Sequence, residues 1–270
     1  MVAAYIISGL IAIGLIILTI EFSILIPPKK GLPVLMYHKV SDDFTDRLTV
    51  PLSKLERQFD YLVKKGYQTI SFAELKSRIE MRELLPLKPL IITFDDAYKN
   101  FDEYVFPLLD KYRLKATLFI PVAYIGKTNI WDEGIEPILN PERLKELSQS
   151  GIVEMGLHSF IHRNYAEMTP EEMEEDLDNC TRSLTSYLIP FTRVLAYPYG
   201  GYPKKDKELK EKMKEIFREK KLDFAVRIGN RINRFPFKDP YELNRIDIRG
   251  TDNFFAFKTK IRKGRMKLFS

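Results

Sequence analysis

The sequence contains very little cysteine, histidine or tryptophan. Its 270 residues include one Cys, three His and one Trp. The single cysteine, Cys180, excludes an intrachain disulfide, and its place in an amphipathic pattern indicates a small core residue rather than a nucleophile. Any histidine-based metal site or acid–base site must therefore be built from His38, His158 and His162.

Internal repeats, low-complexity tracts and long linkers are also absent after the N-terminal segment, which indicates one large domain. The composition, 45% hydrophobic and 30% charged, is typical of a globular protein. The net charge of +6 is uneven, because residues 258–267 carry six basic residues and no acidic one. We predict a basic C-terminal tail there, either solvated or attracted to anionic lipid or polymer. No recognition motif accompanies this charge, so nucleic acid is disfavoured as a partner.

The N-terminus is an almost entirely apolar run through residues 2–26, interrupted by one glutamate. Such a run is long enough to cross a bilayer as one helix, and no small-residue cleavage site follows it. We therefore predict a membrane anchor over residues 1–28 and a single domain over residues 29–270. Lys29 and Lys30 follow the run and no basic residue precedes it, which by the positive-inside rule favours a cytoplasmic domain.

From residue 33 onward, segments with a strand pattern alternate with segments with a helix pattern. Capping boxes at Ser53–Glu56, Ser71–Glu74 and Thr169–Glu172 indicate helix starts, as does Asn140 before Pro141. This alternation predicts an α/β fold around a parallel sheet. The predicted strands cover residues 33–38, 67–70, 89–94, 115–121, 152–157, 193–197, 222–227 and 243–248.

Two adjacent carboxylates, Asp95 and Asp96, follow the apolar strand that begins at Pro89. In a parallel α/β barrel this end of a strand carries the chemistry, and burying two carboxylates is costly unless a cation offsets them. The alternative is that both residues only cap a helix that starts near Asn100.

His158 and His162 follow another predicted strand, at a spacing that would bring two imidazoles together on one helical turn. Two imidazoles and one carboxylate make a three-ligand metal site with open positions, suited to zinc or another divalent ion. The second carboxylate would then be free to act as a base, which indicates hydrolysis of an amide or ester. A zincin-type peptidase is disfavoured, because Ser159 stands where that motif needs Glu.

Three separated segments, Thr93–Ala97, His158–His162 and Ala196–Gly200, resemble in order and spacing the first three motifs of the polysaccharide deacetylase family, carbohydrate esterase family 4. The similarity extends over about residues 33–250. It implies a distorted (β/α) barrel of about seven to eight strands and the removal of acetyl groups from sugars, most often N-acetylglucosamine units. It also implies a divalent metal, most often zinc, with Fe, Co, Ni or Mn as alternatives.

The resemblance also implies roles for individual residues. Asp95 resembles the family's general base, and Asp96, His158 and His162 resemble its metal ligands. The backbone N–H of Tyr199 resembles its oxyanion donor. On this interpretation Asp95 removes a proton from the water that attacks the acetyl carbonyl.

The sequence departs from the family pattern at two points. Ala196 occupies the position of an Arg that orients the catalytic Asp, and no His follows His162 to supply the general acid. Both departures resemble the circularly permuted poly-N-acetylglucosamine deacetylase branch, in which an N-terminal segment like the one ending at His38 supplies the acid. We therefore predict that His38 is the general acid, with a core histidine as the alternative. We also hypothesise that Arg245 pairs with Asp95 in place of the missing Arg, rather than forming a surface ion pair.

Four residues are predicted to bind substrate: Tyr37, Trp131, Pro198 and Tyr199. Aromatic faces suit a pyranose ring, and Tyr98 is a further candidate to line the groove. For Trp131, the only tryptophan, a structural position under a loop is an equal alternative.

These observations together predict a membrane-anchored, metal-dependent hydrolase that deacetylates N-acetylated sugars of a cell-envelope polysaccharide. The resemblance places the catalytic domain outside the cytoplasmic membrane, against the charge signal. No protein partner can be inferred. Two alternatives are a catalytically weakened glycan-binding barrel and a glycoside hydrolase that uses Asp95 and Asp96, although adjacent carboxylates flank a sugar poorly.

Overall fold

The strands of the chain form a closed parallel barrel surrounded by helices. The computed structural model describes residues 2–21, 30–42, 46–132 and 134–265. The strands are β1 Val34–Tyr37, β2 Lys39–Val40, β3 Thr49–Val50, β4 Gln68–Thr69, β5 Pro89–Phe94, β6 Ala116–Ile120, β7 Val153–Leu157, β8 Val194–Ala196, β9 Phe224–Ile228 and β10 Leu243–Asp247. The α-helices are α1 Val2–Glu21, α2 Leu52–Lys64, α3 Phe72–Glu80, α4 Phe106–Tyr112, α5 Pro141–Gln149, α6 Pro170–Ser186, α7 Lys207–Glu219 and α8 Phe254–Lys263.

The barrel closes because β1 pairs on both of its edges. Leu35 of β1 lies opposite Ile92 of β5 on one side and opposite Ile246 of β10 on the other. The remaining barrel strands follow in the order β5-β6-β7-β8-β9-β10, and every pairing is parallel. The short strand β4 pairs with the start of β5, and β2 and β3 form a separate pair. The predicted (β/α) barrel is confirmed, with seven strands in the closed ring.

The eight strands predicted from the sequence are all present, each within a few residues of its predicted bounds. The capping boxes at Ser71 and Thr169 are formed as predicted. The third, at Ser53, is not: α2 starts one residue earlier, at Leu52, and Ser53 therefore lies inside the first turn. The pair β2 and β3 was not predicted, because two-residue strands have no periodicity to detect.

The barrel interior is filled by apolar side chains that alternate along the strands, including Val34, Ile91, Phe119, Val194, Val226 and Leu243. A second, larger cluster lies between the sheet and the helices. Phe119 can enter the barrel because Gly156 lies beside it: a Cβ atom at residue 156 would lie 2.6 Å from the Phe119 ring. Burying each such side chain fully stabilises the fold by about 1.5–3 kcal/mol.

The two chain ends differ from what the sequence predicts. The first part of the predicted anchor forms α1, and residues 22–28 lie outside the described residues. None of the helices that the structure describes is long and apolar enough to cross a bilayer, so the predicted transmembrane span is not supported.

Part of the predicted basic tail is buried rather than solvated, because the segment up to Lys263 folds into α8. Lys260 and Lys263 are 8% and 6% exposed. The Lys260 ammonium donates to the carbonyl oxygen of Asp247 at 2.8 Å and also contacts Asp252. Residues 266–270 lie outside the described part of the chain.

Candidate metal and catalytic site

The candidate site lies at the rim of the barrel where the strands end. His38 follows β1, Asp95 and Asp96 follow β5, and His158 follows β7. Because all barrel strands are parallel, their carboxyl ends meet at one rim, and residues far apart in sequence become neighbours there. Arg245 reaches the same place from β10.

Asp96, His158 and His162 converge on a point that suits a metal ion. Their ligand atoms all lie within 4.8 Å of one another, and all three side chains are buried. Oδ1 of Asp96 lies 3.3 Å from Nε2 of His162 and 3.6 Å from Nε2 of His158. This oxygen is buried and has no hydrogen-bond donor. A buried, unsatisfied carboxylate oxygen facing two imidazole nitrogens fits a divalent cation bound between them.

The other ring nitrogen of each histidine has a partner of its own. Nδ1 of His158 donates to the backbone carbonyl of Ala196, at 2.8 Å. Nδ1 of His162 lies 3.2 Å from the Tyr199 hydroxyl, which can accept in the same way. With the proton on Nδ1, Nε2 of each ring carries the lone pair that a metal needs. A backbone carbonyl serves His158, so this contact does not depend on the side chain at position 196.

The segment from His158 to His162 is a loop and not the helical turn that the spacing predicts. Ser159 and His162 have left-handed backbone angles, φ 61° and φ 57°, which an α-helix cannot contain. The two imidazole rings nevertheless meet, edge to face, with their centroids 4.8 Å apart. The loop, with its two left-handed residues, therefore brings the two rings together, and the helical turn predicted from the spacing is wrong.

Asp95 is held by Arg245 in a bidentate ion pair. The two guanidinium nitrogens lie 2.5 and 2.8 Å from the two carboxylate oxygens, and both residues are buried. The hypothesis that Arg245 pairs with Asp95 is confirmed, and the surface alternative is wrong because Arg245 is 1% exposed. The guanidinium carbon lies over the ring of Phe119, 5.4 Å from the ring centroid.

Burial alone would raise the pKa of both carboxyl groups, but their neighbours outweigh it. The Arg245 guanidinium, helped by His158 and His38, holds the pKa of Asp95 below its usual range. His162 and His158 do the same for the pKa of Asp96. Burial lowers the pKa of His158 to about 4. At neutral pH the site therefore presents two carboxylates and, at His158, a neutral imidazole, which is the form that binds a metal.

His38 completes the group from the neighbouring strand. Its Nε2 lies 3.7 Å from Oδ2 of Asp95, and its side chain is 14% exposed. Nε2 of His158 lies 3.8 Å from the same oxygen. Asp95 is therefore flanked by one histidine of the metal group and by one histidine outside it. His38 therefore lies beside the site, at the end of its strand, and its role as the general acid stays a prediction.

The alternative of Asp95 and Asp96 as helix caps is also wrong. The first helical turn after them starts at Phe101, and no side chain caps it. Asp96 and Ala97 have left-handed backbone angles, φ 73° and φ 52°, so the chain turns sharply directly after the strand. Non-glycine residues adopt this conformation at a cost, which is common at functional sites.

Comparison with known proteins agrees with this geometry. Residues 85–215 match the family model described as polysaccharide deacetylase. The Bacillus subtilis protein YxkH, whose name assigns it to the polysaccharide deacetylases, is 30% identical over 181 residues, which cover 67% of this chain and 61% of YxkH.

The chain carries a polysaccharide deacetylase domain.

Two further relatives agree. The poly-beta-1,6-N-acetyl-D-glucosamine N-deacetylase of Escherichia coli K12 is 29% identical over 143 residues, which cover 49% of this chain and 21% of that protein. The crystal structure of BC0361, a polysaccharide deacetylase from Bacillus cereus, superposes with a TM-score of 0.67 at 25% identity, covering 86% of this chain and 69% of that one. The match thus spans less than two thirds of the two curated relatives.

The tyrosines predicted to line the substrate groove differ in how far they are exposed. Tyr37 is 0% exposed and donates its hydroxyl to Gln58, so the prediction that it contacts substrate is wrong. Tyr98 is also buried, with its hydroxyl bound to Asp132. Tyr199 is 59% exposed and its hydroxyl reaches His162, so it alone of these tyrosines is open to a substrate.

Trp131 lies directly on the metal group of the deacetylase domain. Its indole stacks on the His162 ring, with centroids 4.3 Å apart and planes 17° apart, and Tyr124 also packs against the indole, edge to face. This favours the structural alternative for Trp131. Pro198 is buried in the turn before Tyr199, so its predicted contact with substrate stays a prediction.

Sequence reasoning did not single out Phe119, which lies beneath Arg245 and 6.4 Å from the His158 ring. In the sequence it is one apolar residue of a buried strand, with no feature that sets it apart. Its role is visible only once β6 is seen between β5 and β7, where Gly156 leaves space for its ring.

Proposed function

We propose that this protein is a metal-dependent hydrolase that removes acetyl groups from N-acetylated sugar units of a cell-envelope polysaccharide. The observation that carries the proposal is the buried group of Asp96, His158 and His162 beside Asp95, within a polysaccharide deacetylase domain. The poly-N-acetylglucosamine deacetylases among its relatives support an N-acetylglucosamine polymer as the substrate class.

The metal ligands in this proposal are Asp96, His158 and His162, and zinc is the metal we expect. Two imidazoles and one carboxylate match the ligand set of three-ligand catalytic zinc sites. When bound, a divalent cation supplies Lewis-acid chemistry: it polarises the acetyl carbonyl and lowers the pKa of water.

Asp95 is the general base. Its depressed pKa keeps it ionised at neutral pH and therefore able to accept the proton of the attacking water. A low pKa also makes a carboxylate a weaker base, so the bidentate contact with Arg245 favours orientation over base strength. Arg245 occupies both oxygens from one side, which leaves Oδ2 facing the two histidines.

His38 is the general acid that protonates the leaving nitrogen. It is the one histidine outside the metal group, and it lies next to the base, 3.7 Å from Oδ2 of Asp95. The backbone N–H of Tyr199 donates to the oxygen of the acetyl group as negative charge develops on it. Tyr199 has a left-handed φ of 57°, so this peptide lies in a sharp turn directly after β8.

The test is metal analysis of the purified protein together with acetate release from N-acetylglucosamine oligomers. We expect about one zinc per chain and acetate release that a chelator abolishes and added zinc restores. Asp110→Asn, an exposed carboxylate on α4, is the matched control for Asp96→Asn. Cleavage of the oligomer without acetate release would favour a glycoside hydrolase, and binding without either reaction would favour a glycan-binding barrel.

We further propose that the catalytic domain acts outside the cytoplasmic membrane, where a cell-envelope polysaccharide is accessible. Protease added to intact cells or spheroplasts would degrade the domain in that case. Full protection, with degradation only after lysis, would place the domain inside the cell.

A further inference from the structure

The loop that carries both metal-binding histidines is not stabilised by its own backbone pattern. Between His158 and His162 there is no helix or strand, and Ser159 and His162 both adopt left-handed angles. A loop with two such non-glycine residues persists only where its surroundings over-determine it. Contacts from outside the loop must therefore set the separation of the two imidazoles.

One side of the loop is held by Asp176, which lies on α6 and is 5% exposed. Its Oδ1 accepts hydrogen bonds from the Ser159 hydroxyl at 2.7 Å and from the Phe160 backbone N–H at 2.8 Å. Its Oδ2 accepts from the Tyr165 hydroxyl at 2.6 Å. The Ser159 oxygen in turn accepts from the backbone N–H of Arg163, at 3.1 Å. Asp176 thus binds the loop at the two residues that follow His158.

The opposite side is held by the backbone alone. The N–H of Val122 donates to the carbonyl of Ser159 at 3.3 Å, and the N–H of Ala123 donates to the carbonyl of Phe160 at 2.8 Å. Residues 159 and 160 are therefore clamped between the turn after β6 and one carboxylate of α6. Only the α6 side of this clamp depends on a side chain that a substitution can remove.

We propose that Asp176 is a positioning residue for the metal group: by fixing Ser159 and Phe160, it sets the geometry of His158 and His162. The proposal rests on the metal site of the proposed function. None of the hydrogen bonds of Asp176 described above goes to a metal ligand or to the substrate. The residue therefore acts on metal affinity and not on the chemical step. Removing a residue that orients metal ligands typically weakens metal binding by about 10–100-fold.

Three variants distinguish the effect of loop geometry on zinc affinity from the effect of the negative charge of Asp176. In Asp176→Ala both bonds to the loop are lost, and we expect zinc affinity to fall by about 10–100-fold. In Asp176→Asn the amide oxygen can still accept from Ser159 and Phe160 while its NH₂ donates to Tyr165, so we expect affinity within about threefold of wild type. Asp178→Asn changes a carboxylate on the same helix that binds Lys220 at the surface, and should leave affinity unchanged.

The measurement is zinc affinity of the full chain by competition with a chromogenic chelator, with thermal unfolding of the metal-free protein as a check on folding. At saturating zinc, Asp176→Ala should recover most of its acetate release, because the residue acts through affinity. Ser159→Ala removes the Ser159 bond to Asp176 and the bond from the Arg163 N–H, and it leaves no large cavity. It should also weaken zinc binding and covers the case in which Asp176→Ala does not fold.

Folded Asp176→Ala and Ser159→Ala proteins that bind zinc within about threefold of wild type would overturn the proposal. An Asp176→Asn protein as weak as Asp176→Ala would also overturn it, since charge and not geometry would then matter. Wild-type protein that binds zinc but releases no acetate would refute the proposed function alone, while the affinity comparison would still decide the role of Asp176. Wild-type protein that binds no zinc would refute both.

Discussion

Replacing Arg245 by methionine tests the tuning of the general base most directly. Methionine keeps a flexible, unbranched apolar chain, although a shorter one, and the substitution removes both hydrogen bonds to Asp95 together with the guanidinium charge. Breaking a buried ion pair by removing one partner costs about 3–5 kcal/mol, because the remaining charge is left uncompensated. For a domain of this size that corresponds to a fall in Tm of roughly 6–20 °C, at about 2–4 °C per kcal/mol.

The sign of the pH dependence follows from the direction of the pKa shift. The pKa of Asp95 is lower in the folded chain than in the unfolded chain, mainly because Arg245 opposes the effect of burial. The stability that the pair contributes is therefore complete above the unfolded pKa and is lost as pH falls through the folded pKa. The difference in Tm between wild type and Arg245→Met should be largest near pH 7 and should narrow in acid.

Replacing Arg245 should also change the pH dependence of catalysis. Without Arg245, burial raises the pKa of Asp95, so the acidic limb of the kcat/KM profile should move to higher pH. Loss of orientation should lower kcat/KM at pH 7 by about 10²-fold. The assay is acetate release from an N-acetylglucosamine oligomer across pH 5–9, at saturating zinc.

Two variants act as controls for this prediction. Arg245→Lys keeps the charge without the bidentate geometry, so its acidic limb should stay near that of wild type while kcat/KM falls. Arg249→Met removes an arginine that pairs with Asp247 at the end of the same strand and is 38% exposed, so it should leave the profile unchanged. A folded Arg245→Met protein whose acidic limb does not move upward would refute the reasoning.

Three further predictions concern the histidines and the metal-binding carboxylate. Asp96→Asn should lose zinc, because Asp96 supplies the one carboxylate of the metal group, and elemental analysis should show less than a tenth of the wild-type content; retention of zinc would remove Asp96 from the ligand set. His38→Gln should lower kcat by about 10²–10⁴-fold with zinc content unchanged, as expected for loss of a general acid, and unchanged kcat would exclude this role. In the metal-free protein, burial lowers the pKa of His158 from 6.5 to about 4, so stability should be complete above pH 6.5 and should fall by about 3 kcal/mol as pH drops to 4. His158→Gln should reduce this dependence of the unfolding free energy on pH, measured by chemical denaturation across the same pH window. An unchanged pH dependence would contradict the lowered pKa of His158.

Most of the secondary structure could be predicted because it depends on local physics. The capping boxes at Ser71 and Thr169 and the Asn140–Pro141 start all head helices in the structure, since each satisfies free N–H groups within its own first turn. The box at Ser53 failed for an equally local reason: Pro51 occupies the N-cap position, so the helix already starts at Leu52, one residue before Ser53. Apolar runs bounded by Pro or charge located the barrel strands, although not which of them are neighbours.

Part of the site could also be predicted from the local sequence. Asp95 and Asp96 at a strand end, and two histidines four residues apart after another strand, are visible as chemistry-bearing residues before any fold is known. The helical turn assigned to His158–His162 was wrong because spacing alone does not distinguish a helix from a loop held by distant contacts. Here the loop is held by Asp176 on α6 and by the backbone after β6, and neither contact has a signature in the sequence.

The sequence by itself determined the alternation of strands and helices, the identity of the candidate metal ligands and the hypothesis that Arg245 replaces a missing arginine. Only the tertiary structure decided which groups touch. Tyr37 is buried although it adjoins His38, while Arg245 reaches Asp95 from 150 residues away because β10 and β5 both flank β1. The physical reason is closure of the barrel: parallel strands bring their carboxyl ends to one rim, so position around the ring, rather than distance along the chain, determines which charges are buried together.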